Sequence, residues 1–164
     1  MFEPINDGVD HINIYSKGRT ELGKLLSNFS FSPFRYEPYG LFNSVEGFWY
    51  YYFSGCKHND LRTLSGYMAK KIGKRYKAEK DHIITDEEKE IILGAIRCKL
   101  KQNREILDML VENTLPLTHY YYYGELDNPK VYYMDEYSWI TDEIERIRLL
   151  MIKKLIQDKL INKT

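Results

Sequence analysis

Residues 25–53 read LLSNFSFSPFRYEPYGLFNSVEGFWYYYF, and this stretch decides most of the expected fold. Two prolines and a glycine break any helix across residues 31–42, so this part is predicted to be an extended hairpin. Ser44 is a good N-cap and predicts a helix that runs to about Phe53. Glu46 then falls in the first turn, where the helix dipole favours a carboxylate.

Two further helices are predicted after this stretch. Apolar residues at spacings of three, four and four share one helix face, and Gly73 is expected to end that helix. These residues are Leu61, Leu64, Met68 and Ile72. Thr85 and Glu88 form a capping box that opens a second, longer helix. Its apolar stripe continues to about Glu112, and a break is expected near Asn103.

Short strands and a final helix complete the predicted elements. A strand is expected at residues 13–16, and residues 119–123 and 131–134 are expected to pair as a hairpin. The last helix is predicted to begin at Asp142 and to be basic toward its C-terminal half. These elements predict an α+β fold, mainly helical, with helices packed around a small sheet of short strands. Residues 1–164 are expected to form one domain.

The net charge argues against a general nucleic-acid or membrane coat, because 24 lysines and arginines balance 24 aspartates and glutamates. The charges are nevertheless separated along the chain. Residues 70–80 hold six basic residues and one acid, whereas residues 105–145 hold ten acids and one lysine. The basic run is interpreted either as a solvated helix end or as part of a phosphate site, and both interpretations stay open.

Cysteine and histidine usage indicates neither disulfides nor a metal site. Cys56 and Cys98 lack CxxC spacing, and no secretory peptide or membrane-spanning stretch accompanies them. The four histidines are scattered without HxxxH or HExxH spacing. We therefore expect free thiols in a reducing cytoplasm, with no metal, no cofactor and no membrane partner.

Several short motifs follow one another in a fixed order along most of the chain. They are Ile14-Tyr15-Ser16, the LLSNF loop at 25–29, Ser32-Pro33-Phe34, FNSVE at 42–46, MAKKIGKR at 68–75, the long helix at 89–110 and the final helix around 147–150. In this order they resemble the NADAR family, the N-glycosidases associated with NAD and ADP-ribose chemistry.

The resemblance implies cleavage of a base-to-ribose N-glycosidic bond. Substrates of that family include ADP-ribosylated guanine in DNA and phosphoribosylamino intermediates of riboflavin synthesis. The transition state is oxocarbenium-like, and a carboxylate near the anomeric carbon stabilises it, a part that falls to Glu46. Asn28 can both donate and accept hydrogen bonds, which suits ribose hydroxyls or a base edge.

The ligand-binding residues implied by the resemblance are basic, polar and aromatic. They are Lys17, Arg19, Asn28, Phe29, Trp49, Tyr52, Lys70, Lys74, Arg75 and His119. Structural interpretations of the same residues stay open. An acid in a first helical turn is compatible with the dipole alone, a loop asparagine often caps a turn, and an aromatic tract often fills a core.

The chain departs from the family pattern in two places. The family has a basic residue seven positions after the glutamate, thought to engage the sugar directly, and here that position is Phe53. The nearest basic alternative is Lys57, which would share a face with Glu46 if the helix continued. The family's Asp-x-Tyr-Trp-Gly segment is also missing, and residues 119–124, HYYYYG, occupy its region.

Three functions are consistent with these patterns. The first is an N-glycosidase acting on an ADP-ribose-like nucleotide or ADP-ribosylated DNA, in the setting of a phage counter-defence protein. The second is a binding module that sequesters ADP-ribose or a cyclic ADP-ribose signal without cutting it. The third is a structural subunit whose surface tyrosines contact another protein.

Overall fold

The computed structural model describes residues 1–76 and 82–163. Within these residues it contains six α-helices. They are α1 (Glu21–Leu26), α2 (Val45–Phe53), α3 (Gly66–Arg75), α4 (Asp86–Gln102), α5 (Arg104–Glu112) and α6 (Ser138–Ile161). Short 3-10 turns lie at Pro4–Asn6, Asn59–Thr63 and Asp135–Tyr137.

The strands are short and form pairs. They are β1 (Ile12–Asn13), β2 (Phe34–Tyr36), β3 (Gly40–Phe42), β4 (Leu117–Thr118), β5 (Tyr120–Tyr123) and β6 (Lys130–Tyr133). The hairpins β2–β3 and β5–β6 are antiparallel, as predicted, and β1 pairs in parallel with β4. The α+β class is therefore confirmed, although the described strands form three separate pairs rather than one sheet.

Helix α2 begins where Ser44 caps it. The Ser44 hydroxyl oxygen accepts a hydrogen bond of 3.0 Å from the Gly47 amide and donates one of 2.8 Å to the carbonyl of Leu64. A Cβ at Gly47 would lie 2.5 Å from the Leu61 carbonyl oxygen, so the glycine allows the two backbones to approach closely. The predicted helix is confirmed, and its first turn is held against the segment that precedes α3.

The boundaries of α3 differ from the prediction. Leu61 lies in a 3-10 turn, and the helix begins only at Gly66 and continues past Gly73 to Arg75. Gly73 does not end the helix because its missing side chain makes room for a neighbour. A Cβ there would lie 2.2 Å from the ring of Tyr50 on α2. The glycine therefore serves helix packing instead of helix termination.

The signals around α4 and α5 behave as predicted. Thr85 and Glu88 form the reciprocal capping box at the start of α4. The break at Asn103 is also present, and its side-chain amide donates to the carbonyls of Lys99 and Pro33. Helix α6 begins at Ser138, four residues before the predicted start.

The core surrounds α2, from which Phe48, Trp49 and Tyr50 are fully buried. Apolar residues of α1, α4 and α5 and of the β2–β3 hairpin pack in the same cluster. Burial of these large side chains stabilises the fold, with roughly 1.5–3 kcal/mol from each fully buried side chain. The arrangement leaves the first turn of α2 close to the residue 27–29 loop.

Candidate functional site

Residues 27–29 form a loop whose backbone is tied to three helices. Their carbonyl oxygens accept hydrogen bonds, in chain order, from the Lys99 side-chain nitrogen on α4, the Glu46 amide on α2 and the Gly66 amide on α3. Each of these bonds is 2.9 Å long. Because all three carbonyls are engaged, the loop conformation is set by the surrounding helices rather than by its own sequence alone.

A cavity of about 520 Å³ opens beside this loop. Its volume lies within the range of about 300–1,000 Å³ found for small-molecule sites. Seven of the residues predicted to act in catalysis or ligand binding line it. They are Lys17, Asn28, Phe29, Glu46, Trp49, Lys70 and His119. The fold thus brings together residues from the start of the chain, the residue 27–29 loop, α2, α3 and the junction between β4 and β5.

Glu46 and Asn28 lie next to each other, as the sequence predicted. The Glu46 amide donates to the Asn28 carbonyl, and Glu46 is fully buried in the first turn of α2 at the cavity wall. The Asn28 side chain is half-buried and makes no hydrogen bond to any residue that the structure describes. Its amide group is consequently available to a molecule in the cavity.

Four tyrosines that were not predicted to bind ligand also line the cavity. Tyr15, Tyr121, Tyr123 and Tyr137 line it, and the ring centroids of Tyr15 and Tyr121 are 5.0 Å apart. The pKa of Tyr121 is raised, first by burial and then by the negative charge of Glu46. Tyr121 therefore stays protonated at neutral pH and presents a hydrogen-bond donor near the carboxylate.

Strand periodicity was the sequence signal for two of these tyrosines, Tyr121 and Tyr123. His119, Tyr121 and Tyr123 alternate along the HYYYY run, and all three line the cavity. Side chains two residues apart on a strand point to the same side. Once residues 119–123 are predicted to be a strand and His119 is placed in the site, the same rule selects Tyr121 and Tyr123.

His119 is oriented by the backbone of the first motif. Its Nδ1 lies 2.6 Å from the carbonyl oxygen of Ile14. Since a carbonyl oxygen can only accept, Nδ1 carries the proton and donates it. In the neutral ring Nε2 is then the hydrogen-bond acceptor.

Trp49 and Tyr52 differ in their relation to the cavity. Trp49 lines it and is fully buried, with Phe53 and Trp139 rings packed at 5.6 Å and 6.1 Å. Tyr52 was predicted to bind ligand, but it does not line the cavity and packs against the ring of Tyr39 instead. The aromatic run of α2 therefore has two roles: Trp49 forms part of the cavity wall, and Tyr52 packs against the core.

Lys57 does not lie where the continued helix would have placed it. Helix α2 ends at Phe53, and Gly55 and Cys56 both take positive φ angles, of 96° and 58°. The chain therefore turns away, and Lys57 is exposed and outside the cavity lining. The prediction that Lys57 shares a helical face with Glu46 is wrong, because the left-handed residues break the helix between them.

The remaining predicted cations divide into cavity and surface positions. Arg19 lies outside the cavity lining, where its guanidinium donates to the Ile5 carbonyl. Lys70 is half-buried in the lining, whereas Lys74 and Arg75, one turn further along α3, are exposed and outside it. Two other lysines of the predicted basic run, Lys77 and Lys80, lie outside the described residues.

The described residues contain neither a metal-binding cluster nor a membrane-spanning helix. Among residues 1–76 and 82–163, no group of three or more His, Cys, Asp or Glu side chains is arranged to hold a metal ion. In the same residues, no helix combines the length and apolar character needed to cross a membrane.

In comparisons with known proteins, the chain matches no family model, no curated protein and no solved structure at the significance required for an assignment. The resemblance to NADAR enzymes therefore rests on the motifs themselves.

Proposed function

We propose that the protein is an N-glycosidase that hydrolyses a base-to-ribose bond in an ADP-ribose-type substrate, such as ADP-ribosylated guanine in DNA. The observation that carries the proposal is the position of Glu46 beside Asn28 in a largely aromatic cavity. Perturbed tyrosines in a cleft with a carboxylate are the usual marks of a functional site. A phage protein that reverses a host ADP-ribosylation attack would need this activity.

The chemistry requires a negative charge close to the anomeric carbon. As the N-glycosidic bond breaks, its electron pair leaves with the base and the sugar becomes oxocarbenium-like. The Glu46 carboxylate would stabilise that cation and accept a proton from the water whose oxygen bonds to the anomeric carbon. The Tyr121 phenol, which stays protonated, would donate a hydrogen bond to the departing base. The base nitrogen would then take up the proton that Glu46 accepted from water, which restores the carboxylate.

The rest of the cavity suits the two ends of an ADP-ribose unit. Tyrosine rings such as Tyr15 and Tyr137 offer faces for a nucleobase. Lys17 and Lys70 supply cations for the diphosphate. Asn28 is available for ribose hydroxyls, because no described residue occupies its side-chain amide.

Incubation of the pure protein with candidate substrates tests this proposal directly. NAD, ADP-ribose, cyclic ADP-ribose and ADP-ribosylated guanosine DNA should each be added, and protein and supernatant then separated by chromatography. Release of ADP-ribose, together with nicotinamide from NAD or with unmodified DNA from the ADP-ribosylated substrate, supports the enzyme. Absence of turnover on all four substrates contradicts it.

A specific observation favours a second candidate, a binding module for the same ligand. The family's sugar-engaging lysine is replaced by Phe53, and Lys57 lies outside the cavity. If that lysine is essential for bond cleavage, the cavity would retain ADP-ribose or a cyclic ADP-ribose intact. Recovery of unaltered ligand from the protein in the same chromatography favours this alternative.

Two lysines on α3 provide a matched test of the phosphate end. Lys70→Ala should weaken ADP-ribose binding by roughly 10- to 100-fold, the usual effect of losing one hydrogen bond to a charged group. Lys74→Ala, one turn away and exposed, should change the affinity by less than about twofold. Isothermal titration calorimetry at low and moderate salt measures both.

The salt dependence gives the second half of the test. Wild-type affinity should fall as salt rises, and the fall should be smaller in Lys70→Ala because one cation is missing. If Lys70→Ala changes the affinity as little as Lys74→Ala does, the basic cluster serves solubility and Lys70 is not part of the ligand site.

A further inference from the structure

The two halves of α6 lie in different environments. In the first half Ile144 is buried, and the buried Arg148 guanidinium donates to the carbonyls of Asn113 and Leu115. In the second half every side chain of residues 153–163 is exposed. The helix therefore extends beyond the body to which its first half is anchored.

Apolar side chains follow the outer face of this helix. Leu149, Ile156 and Leu160 are 64%, 54% and 61% exposed. Their spacings of seven and four place them on one stripe, and Leu150, Leu155 and Ile161 are exposed elsewhere around the helix. An unsupported helical end of this length is marginal in water, since helix stability in proteins comes mostly from packing of an apolar face. The stripe is consequently a surface that a partner would stabilise.

The charges of α6 are arranged so that the helix complements itself in reverse orientation. Lys153, Lys154, Lys159 and Lys163 are exposed in the second half. Asp142 is exposed in the first half, and Asp135 and Glu136 are exposed just before the helix begins. Arg146 is exposed in the first half too, but its guanidinium is paired with Glu143 of the same helix. When two such helices lie antiparallel, the basic half of each faces the acidic beginning of the other.

We propose that the protein dimerises through antiparallel packing of α6 against α6 of a second copy. With Leu149 of one copy opposite Ile156 of the other, two-fold symmetry repeats the same contact on the other side. The same alignment brings Asp142 opposite Lys163 of the second copy, because the two residues are equally far along α6 from the two-fold axis. Dimerisation does not depend on the proposed enzymatic activity.

A helical partner fits this surface better than a lipid surface does. Leu150, Leu155 and Ile161 are exposed on other sides of the helix, so α6 lacks the single apolar face opposite a polar face that an interfacial helix carries. Asp142 and Asp158 are both exposed on the same helix, and anionic lipids would repel them. Thr141, next to Asp142, lines the cavity, so the interface reaches the edge of the candidate site.

Sedimentation equilibrium of the full chain over a range of concentrations tests the proposal. The wild-type protein should be dimeric, and Leu149→Glu combined with Ile156→Glu should raise the dimer dissociation constant by roughly a hundredfold or more. Circular dichroism checks that the monomeric variant remains folded. Gln157→Glu, an exposed change off the stripe, should leave the dissociation constant within about twofold.

Exchanging the charges of Asp142 and Lys163 tests whether the two α6 helices are antiparallel. Lys163→Glu should weaken the dimer, and Asp142→Lys in the same chain should restore it, because the antiparallel pair is then reversed as a whole. A wild-type protein that stays monomeric at every concentration overturns the proposal. So does wild-type protein that binds phosphatidylserine vesicles as a monomer, since the stripe then serves a membrane.

Discussion

Glu46→Gln should lower turnover of an ADP-ribosyl N-glycoside on the order of a hundredfold or more, the usual cost of removing one well-placed electrostatic contact. Glutamine keeps the shape of the buried side chain and much of its hydrogen bonding but removes the negative charge. Ligand binding and folding should therefore persist, because the charge is needed mainly in the transition state. Single-turnover kinetics and calorimetric binding measure the two effects separately.

Two control variants sharpen this experiment. Glu21 is also a first-turn glutamate, but it is exposed at the start of α1 and outside the cavity, so Glu21→Gln should retain full turnover. Lys57→Met should retain it too, because Lys57 is exposed and does not line the cavity. A Glu46→Gln protein as active as wild type would remove Glu46 from the mechanism.

Local signals predicted the boundaries of α2, α4 and α5 correctly, whereas the short helix α1 was not predicted. Ser44 and the Thr85 capping box act within a few residues of themselves, so their effect can be read without knowing the fold. The same holds for Asn103, where the chain breaks between α4 and α5. Capping hydrogen bonds connect neighbours in sequence, and the sequence displays both partners together.

Tertiary contacts explain the boundaries that were predicted incorrectly. Gly73 normally marks a helix end, but the Tyr50 ring fills the space beside it and the helix continues. The β1–β4 pairing joins Ile12 to Leu117, far apart in the chain. Nothing near either residue indicates the other, since such contacts depend on how the whole chain packs.

In the candidate site, too, some features could be predicted from local sequence and others depend on tertiary contacts. The motif order brought Glu46, Asn28 and Trp49 to attention, and all three line one cavity. Lys57 was predicted by continuing α2 past Gly55, but the backbone turns at that glycine. The ties that hold the residue 27–29 loop were not predictable, because the Lys99 side chain reaches it from 72 positions away in sequence.

Lys99 should make folding stability depend on pH. Its side chain is buried, it donates to the Ser27 carbonyl at 2.9 Å, and burial lowers its pKa from the ordinary 10.5 to about 7. Between these two values the unfolded chain binds a proton that the folded protein does not. The free energy of unfolding should therefore rise with pH across this window and change little, through this group, below about pH 7.

Lys99→Met removes the titrating group while keeping a long apolar side chain. From about pH 7 to 10, wild-type stability should gain on the order of a few kcal/mol relative to the variant, as measured by urea unfolding. The 15 tyrosines are present in both proteins, so their titration cancels when the stability of the variant is subtracted from that of the wild type. Lys101→Met, an exposed change on the same helix, should run parallel to wild type. If Lys99→Met also runs parallel, Lys99 keeps its proton when buried, and the ammonium is held by more than the loop carbonyl.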